Sequence, residues 1–151
     1  MDIVLHEPQI PQNTGSIART CAATQTPLHI VGKPAFEISD RTVRRAGLDY
    51  WPYVSLHQHA SLDEYLEKIK PRKIWLFSKF GTQLYYKAEF HPDDALVFGG
   101  EVKGLGPEIL SRWPEQVLKI PMPCDGVRSL NLSNTVSIAL YEARRQLKVD
   151  E

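Results

Sequence analysis

The sequence predicts an α/β fold: a single domain over residues 1–151, built on a mainly parallel sheet flanked by helices. Three observations lead there. Short apolar runs such as Ile3-Val4-Leu5 and Leu28-His29-Ile30-Val31 are closed by Pro or Gly, as buried strands are. The segments between such runs carry apolar residues at helical spacing, and strands alternating with helices fold into layers around a parallel sheet. The length of 151 residues suits one domain that buries a core without disulfide or metal support.

The elements follow in order. The first strand is Ile3-Val4-Leu5, closed by Glu7-Pro8. Asn13-Thr14-Gly15 offers capping residues before Ile17, Ala18, Cys21 and Ala22, which share one helical face. Residues 28–31 form a second strand, ended by Gly32 and Pro34. Ser39-Asp40 is placed to cap a short basic helix over 41–46, stopped by Gly47. Residues 53–56 are a strand candidate. Ser61 with Glu64 has capping-box spacing for a helix to about Ile69. Residues 73–77 and 95–98 are further strands, and Pro107 suits the first turn of a short helix. Residues 117–120 make the last strand. Leu132, Val136, Ala139, Leu140, Ala143 and Leu147 then recur at helical spacing in a final helix.

Composition narrows the class of function. Eighteen basic and eighteen acidic residues give a formal net charge of zero, so any nucleic-acid binding must come from local patches rather than a global field. Cys21 and Cys124 match no metal-ligand spacing and cannot make a disulfide scaffold, which points to a reducing cytoplasm. The N-terminus lacks the basic and long apolar regions of a signal peptide, and no apolar run approaches membrane-spanning length.

The segments that could carry chemistry are few. Gly99-Gly100-Glu101-Val102-Lys103-Gly104-Leu105-Gly106 follows a strand, and its glycines permit close approach of backbone to a ligand. A P-loop would need Lys and Ser/Thr after Gly104, where Leu105 and Gly106 stand; a dinucleotide fingerprint from Gly104 would need Gly or Ala at Ile109. Both tests fail, which disfavours ATPases and Rossmann oxidoreductases. Ser129-Leu130-Asn131-Leu132-Ser133-Asn134 is a polar junction from strand into helix, a place where backbone N–H groups and hydroxyls meet ligands. Arg19 lies about two turns after Asn13 and could clamp a phosphate or organise a reacting hydroxyl. Arg41 and Arg45 share a helical face, with Arg44 adjacent and Tyr50-Trp51 following, a candidate phosphate-contacting patch, although such runs are more commonly solvated basic faces. His57 and His59 lack a third ligand, so no metal site is expected. No nucleophile-and-base pair of the hydrolase kind is recoverable.

Three segments in order extend this reading. Asn13-x-Gly15-x-x-x-Arg19, Gly99-x-Glu101-x-x-Gly104-Leu105, and Ile120-Pro121-Met122 followed by Ser129–Asn134 resemble the motifs of the SPOUT (SpoU-type) RNA 2′-O-methyltransferases. The short length is similar to minimal members without an added RNA-binding domain. Glu7-Pro8-Gln9-Ile10-Pro11-Gln12-Asn13-Thr14-Gly15, Arg44-Arg45-Ala46-Gly47-Leu48-Asp49-Tyr50 and Tyr141-Glu142-Ala143 resemble the enzymes of the tRNA wobble nucleotide, cytidine or uridine 34. Gly100 and Leu130, where those enzymes usually have proline and methionine, are more similar to the broader family.

The resemblance implies a C-terminal deep trefoil knot through the loops around 76–82, 98–105 and 120–131, S-adenosylmethionine held in a bent form, and a homodimer. It implies cofactor contacts at Phe77, Gly99, Ile120, Met122, Ser129 and Leu130, largely through backbone. Arg19 matches the arginine assigned to the reacting hydroxyl, while Asn13, Glu101, Arg128 and Asn131 match residues that hold the site and the dimer contact. Arg41, Arg44, Arg45 and Tyr141 are candidates for the RNA, the tRNA anticodon stem-loop, with Tyr141 equally a candidate for dimer contact. Methylation at another tRNA position or of ribosomal RNA, a non-catalytic RNA-binding member, and a nucleotide-binding regulator stand as alternatives.

Overall fold

A computed structural model describes residues 1–38, 41, 45 and 49–151. Its centre is a seven-stranded sheet in the order β3-β2-β1-β6-β4-β7-β5. The strands are β1 (Asp2–His6), β2 (Leu28–Val31), β3 (Leu56–His59), β4 (Ile74–Phe77), β5 (Gln83–Leu84), β6 (Ala95–Phe98) and β7 (Val117–Lys119). Every pairing is parallel. The helices that lie wholly within the described residues are α1 (Pro11–Ala23), α2 (Leu62–Ile69), α3 (Gly106–Arg112) and α4 (Leu132–Leu147), with short 3-10 turns at Trp51–Tyr53, Tyr85–Lys87 and Pro114–Gln116.

Alternation along each strand sorts the core into two layers, because successive side chains point to opposite faces. Ile3, Leu5, Leu28, Ile30, Phe77, Leu96, Phe98 and Leu118 pack with Ile17, Ala18 and Cys21 of α1 and Val136, Ala139, Leu140 and Ala143 of α4. Val4, Val31, Leu76, Val97 and Val117 face the other way, onto Leu62 and Tyr65 of α2 and Ile109 and Leu110 of α3. Covered on both faces, β1, β2, β4 and β6 read as continuous apolar runs rather than alternating ones.

The helix ends show where local chemistry wins. Ser61 caps α2 by accepting the Glu64 amide at 3.0 Å, while Glu64 reaches back to the Ala60 amide, the reciprocal pattern expected from the sequence. α1 begins at Pro11, earlier than the capping residues at 13–15 predict, because a proline at the first position has its φ already set for a helix. Asn13 is thereby placed inside the first turn rather than at the cap. The strand expected at 53–56 is Leu56–His59, preceded by the 3-10 turn at Trp51–Tyr53. β7 ends at Lys119 rather than Ile120, and α4 starts at Leu132, with Asn131 as its cap accepting the Asn134 amide. The capped basic helix expected over 41–46 falls mostly outside the described residues.

A polar cluster lies within the α2-side layer. Asp2 accepts from the Tyr65 hydroxyl at 2.8 Å and stands 3.3 Å from His29 Nε2, while His29 Nδ1 lies 2.9 Å from His59 Nε2. The His57 ring stacks on His29 with centroids 4.8 Å apart. The carboxylate only accepts, so His29 carries its proton on Nε2 and His59 donates from its own Nε2. That tautomer leaves His59 Nδ1 buried without a partner. Burial and the neighbouring His29 hold His59 below its ordinary value of 6.5. A depressed histidine binds its proton in the unfolded chain first, so stability is complete above pH 6.5 and declines as pH falls below it. Burial pushes the Asp2 carboxyl up, but bonds from His29 and Tyr65 outweigh it and the net shift is downward, so its contribution is lost only below pH 3.8. The melting temperature of His59→Gln is expected to be flatter than the parent's just below pH 6.5, measured by circular dichroism. Parallel curves for the two proteins would contradict this assignment.

Candidate active site

A parallel sheet delivers the C-terminal ends of its strands to one edge, where ligands of open α/β folds bind. Register sets Phe77 of β4 beside both Phe98 of β6 and Leu118 of β7. The next residues out of β6 and β7 are Gly99 and Ile120. Three cofactor candidates remote in sequence, Phe77, Gly99 and Ile120, therefore meet at this edge. The Phe77 ring is stacked on Phe98, centroids 4.7 Å apart at 17°. It is only 7% exposed, so this position offers a ligand little beyond its backbone.

Residues 99–105 fold back on themselves. The Gly104 amide donates to the Gly100 carbonyl at 2.9 Å. A Cβ at Gly99 would lie 2.1 Å from the Gly104 carbonyl carbon and 2.3 Å from the Leu105 nitrogen, so only glycine permits this approach.

The 120–131 loop supplies the opposite chemistry. Met122 and Ile120 are half-buried; Arg128, Ser129 and Leu130 are exposed. Among the described residues the backbone from Pro121 to Ser129 makes one internal backbone hydrogen bond, Val127 N–H to the Cys124 carbonyl at 3.3 Å. Its remaining N–H and C=O groups must find water or a ligand. This fits a cofactor held mainly through backbone.

Asn131 closes the loop onto α1. Its Oδ1 accepts from the Ser133 hydroxyl at 2.6 Å and the Asn134 amide at 3.2 Å, while its Nδ2 donates to Asn13 Oδ1 at 3.1 Å. Asn13 and Asn131 are thus brought together from opposite ends of the chain.

Glu101 works through backbone. Its carboxylate accepts from the Gln9 amide at 3.0 Å and the Ile10 amide at 2.5 Å, at the N-terminus of α1 where negative charge is favoured. In return, Gln9 Oε1 accepts from the Val102 amide at 2.8 Å and the Lys103 amide at 3.4 Å. This reciprocal clamp fixes the 99–105 turn against the entry to α1. The sequence names Glu101 as a site candidate but shows Gln9 only as part of the Glu7–Gly15 segment, because a glutamine before Pro11 has no local pattern that gives it a role.

The other candidates are more dispersed. Arg19 is exposed on α1, its guanidinium carbon 5.5 Å from the Tyr50 ring centroid. Arg41 and Arg45 are exposed, and Arg44 lies outside the described residues. Tyr141 is 53% exposed on α4, away from the face that buries Ala139, Leu140 and Ala143. Among the described residues no group of His, Cys, Asp and Glu has the arrangement of a metal site, and no helix is long and apolar enough to cross a membrane. A cavity of about 670 Å³ lined by Lys33, Phe36, Trp51 and Gln58 lies beside the β2-β3 half of the sheet.

Comparison with known proteins agrees with the arrangement. The chain is 44% identical over 147 residues to the tRNA (cytidine(34)-2′-O)-methyltransferase of Saccharophagus degradans, covering 97% of this chain and 95% of that one. A solved structure from work on "the 2-OH methylation of C/U34 on tRNA" superposes with a TM-score of 0.91 at 47% identity, over 97% of this chain and 95% of the other. The fold is also that of the SpoU methyltransferase AviRb from Streptomyces viridochromogenes in complex with AdoMet, with a TM-score of 0.85 at 22% identity over 98% of this chain and 60% of that one. The model of the SpoU rRNA Methylase family matches residues 1–141, and the chain belongs to that family.

Proposed function

We propose that this chain, as a single methyltransferase domain, transfers a methyl group from S-adenosylmethionine to the ribose 2′-hydroxyl of tRNA nucleotide 34, cytidine or uridine. The observation that carries this is the meeting of the 99–105 turn, the open backbone of 120–131 and the Asn13–Asn131 pair at one sheet edge, in a chain so similar to enzymes named for that reaction. S-adenosylmethionine supplies a sulfonium-bound methyl that is already strongly electrophilic. The protein's task is then alignment of the hydroxyl for in-line attack.

Phe77, Gly99, Ile120, Met122, Ser129 and Leu130 would hold the cofactor. Arg19 stays protonated, as guanidinium groups do in proteins, so it cannot take the proton from the hydroxyl. It orients the RNA phosphate and stabilises the developing alkoxide, while phosphate or water accepts the proton. Asn13 and Asn131 tie the two halves of the site, and Glu101 fixes the turn through the amides of Gln9 and Ile10. Arg128 stands on the cofactor loop. Arg41, Arg44, Arg45 and Tyr141 contact the anticodon stem-loop.

The strand order favours a threaded C-terminus, although chains almost never thread loops. β7 lies between β4 and β5, which residues 78–82 join directly. A Cβ at Gly81 would approach the Leu118 carbonyl carbon to 2.4 Å, so the 78–82 loop crosses β7 in backbone contact. Both observations support the trefoil knot proposed for this C-terminus. Exposed Ile10 and Ile138 on the packed α1–α4 pair support a homodimer. Two free thiols, Cys21 and Cys124, suit the cytoplasm.

The test incubates the protein with labelled S-adenosylmethionine, total tRNA and ribosomal RNA, then maps 2′-O-methylation by nucleotide. Label at tRNA position 34 is expected. Label confined to ribosomal RNA, or to another tRNA position, would refute the proposed substrate. Sedimentation is expected to show a dimer.

A further inference from the structure

Tyr50 lies outside the three motifs, and the proposed chemistry leaves it without a task. Its hydroxyl donates to the Gly15 carbonyl at 3.1 Å. Its ring stands 5.5 Å from the guanidinium carbon of Arg19. Gly15 and Arg19 are four residues apart on α1, so the Gly15 carbonyl is the one that the Arg19 amide reaches in the helix. One side chain therefore grips a single helical turn twice, at the backbone that carries Arg19 and at its charged end.

Arg19 is exposed, and a long side chain on a helix surface samples several rotamers unless something selects one. An aromatic face beneath a guanidinium is such a selector, because it attracts the cation while leaving the edge N–H groups free for phosphate or oxygen. Burial keeps the phenol above its ordinary value, Arg19 pulling it down and Asp49 pushing it up, so at neutral pH the hydroxyl is a neutral donor to Gly15. The 3-10 turn at Trp51–Tyr53 follows at once, and Trp51 packs against the core, which anchors the chain on the far side of Tyr50.

We infer that Tyr50 is a positioning residue for methyl transfer, holding the Arg19 guanidinium over its ring and the Gly15–Arg19 turn through its hydroxyl. The inference rests on the role proposed for Arg19. It goes further in making the orientation of that arginine depend on a residue from a separate segment of the chain.

The experiment is a double-mutant cycle on single-turnover transfer to tRNA, with cofactor affinity measured alongside. Tyr50→Leu, which removes both contacts, is expected to lower the rate by ~10–100-fold, the scale of a small misplacement at a reacting centre. Tyr50→Phe keeps the ring and is expected to recover most of that loss. Cofactor affinity is expected to stay within about twofold of the parent, since the 99–105 and 120–131 segments are untouched. In the Arg19→Ala background, Tyr50→Leu is expected to cost almost nothing further, because the residue acts through a side chain no longer present. Losses that multiply in the double variant would overturn the inference while leaving Arg19's role intact. An Arg19→Ala protein as active as the parent would overturn both. If Tyr50→Leu fails to fold, shown by circular dichroism, the same cycle run with Tyr50→Met, which also removes the ring and the hydroxyl, decides by the same criterion.

Discussion

Gly99→Ala is expected to cost this protein both stability and its methyl-donor site. The added Cβ would meet the Gly104 carbonyl carbon at 2.1 Å, the Leu105 nitrogen at 2.3 Å and the Gly104 oxygen at 2.5 Å. All three are backbone atoms, so no flexible side chain can swing aside and the 99–105 turn itself must open. Overpacking of this kind costs about 1–3 kcal/mol. Opening the turn also pulls Glu101 from the amides of Gln9 and Ile10, and Val102 from Gln9 Oε1. A destabilisation near the top of that range lowers the melting temperature by roughly 2–4 °C per kcal/mol in a domain of this size. Calorimetric titration is expected to show S-adenosylmethionine affinity down by at least ~10-fold, because the turn proposed to wall the cofactor has moved. A Gly99→Ala protein that melts and binds like the parent would show that the turn is not part of the site.

The fold was largely legible because its signals are local and redundant. Apolar runs at 3–5, 28–31 and 95–98, and the 3.6-residue spacing from Leu132 to Leu147, each identify an element without help from the rest of the chain. What escaped was non-local. The two-residue β5 at Gln83–Leu84 exists only because β7 passes beside it, and a strand of that length has no pattern of its own. The third strand was misplaced because His57 and His59 look polar in sequence, whereas His59 is buried by its bond to His29 from the neighbouring strand. The candidate site divides in the same way. Glu101 and Asn131 were named for it through the order of motifs, whereas the contacts of Gln9 with Val102 and of Tyr50 with Arg19 join partners distant in sequence, and a single sequence does not display such pairs.

Arg19→Ala is expected to abolish measurable turnover on tRNA while leaving cofactor affinity at the parent level. The two halves of that expectation come from different parts of the structure. Arg19 lies on the exposed side of α1, beside Tyr50, whereas the cofactor candidates meet at the ends of β4, β6 and β7. Truncating it leaves no buried charge and opens no cavity, so folding and cofactor binding have no reason to change. Transfer does, because a positive charge aimed at a developing alkoxide matters only in the transition state. Removal of one such group lowers turnover by ~10²–10³-fold, and loss of phosphate orientation adds to that. Arg19→Lys separates the contributions: it keeps the charge but loses the planar fork, and is expected to regain part of the rate at saturating tRNA without regaining tRNA affinity. Single-turnover rates at varied tRNA concentration, read beside calorimetric cofactor affinity, decide the matter. An Arg19→Ala protein that loses cofactor affinity in step with turnover would move Arg19 from the RNA side of the reaction to the methyl-donor side.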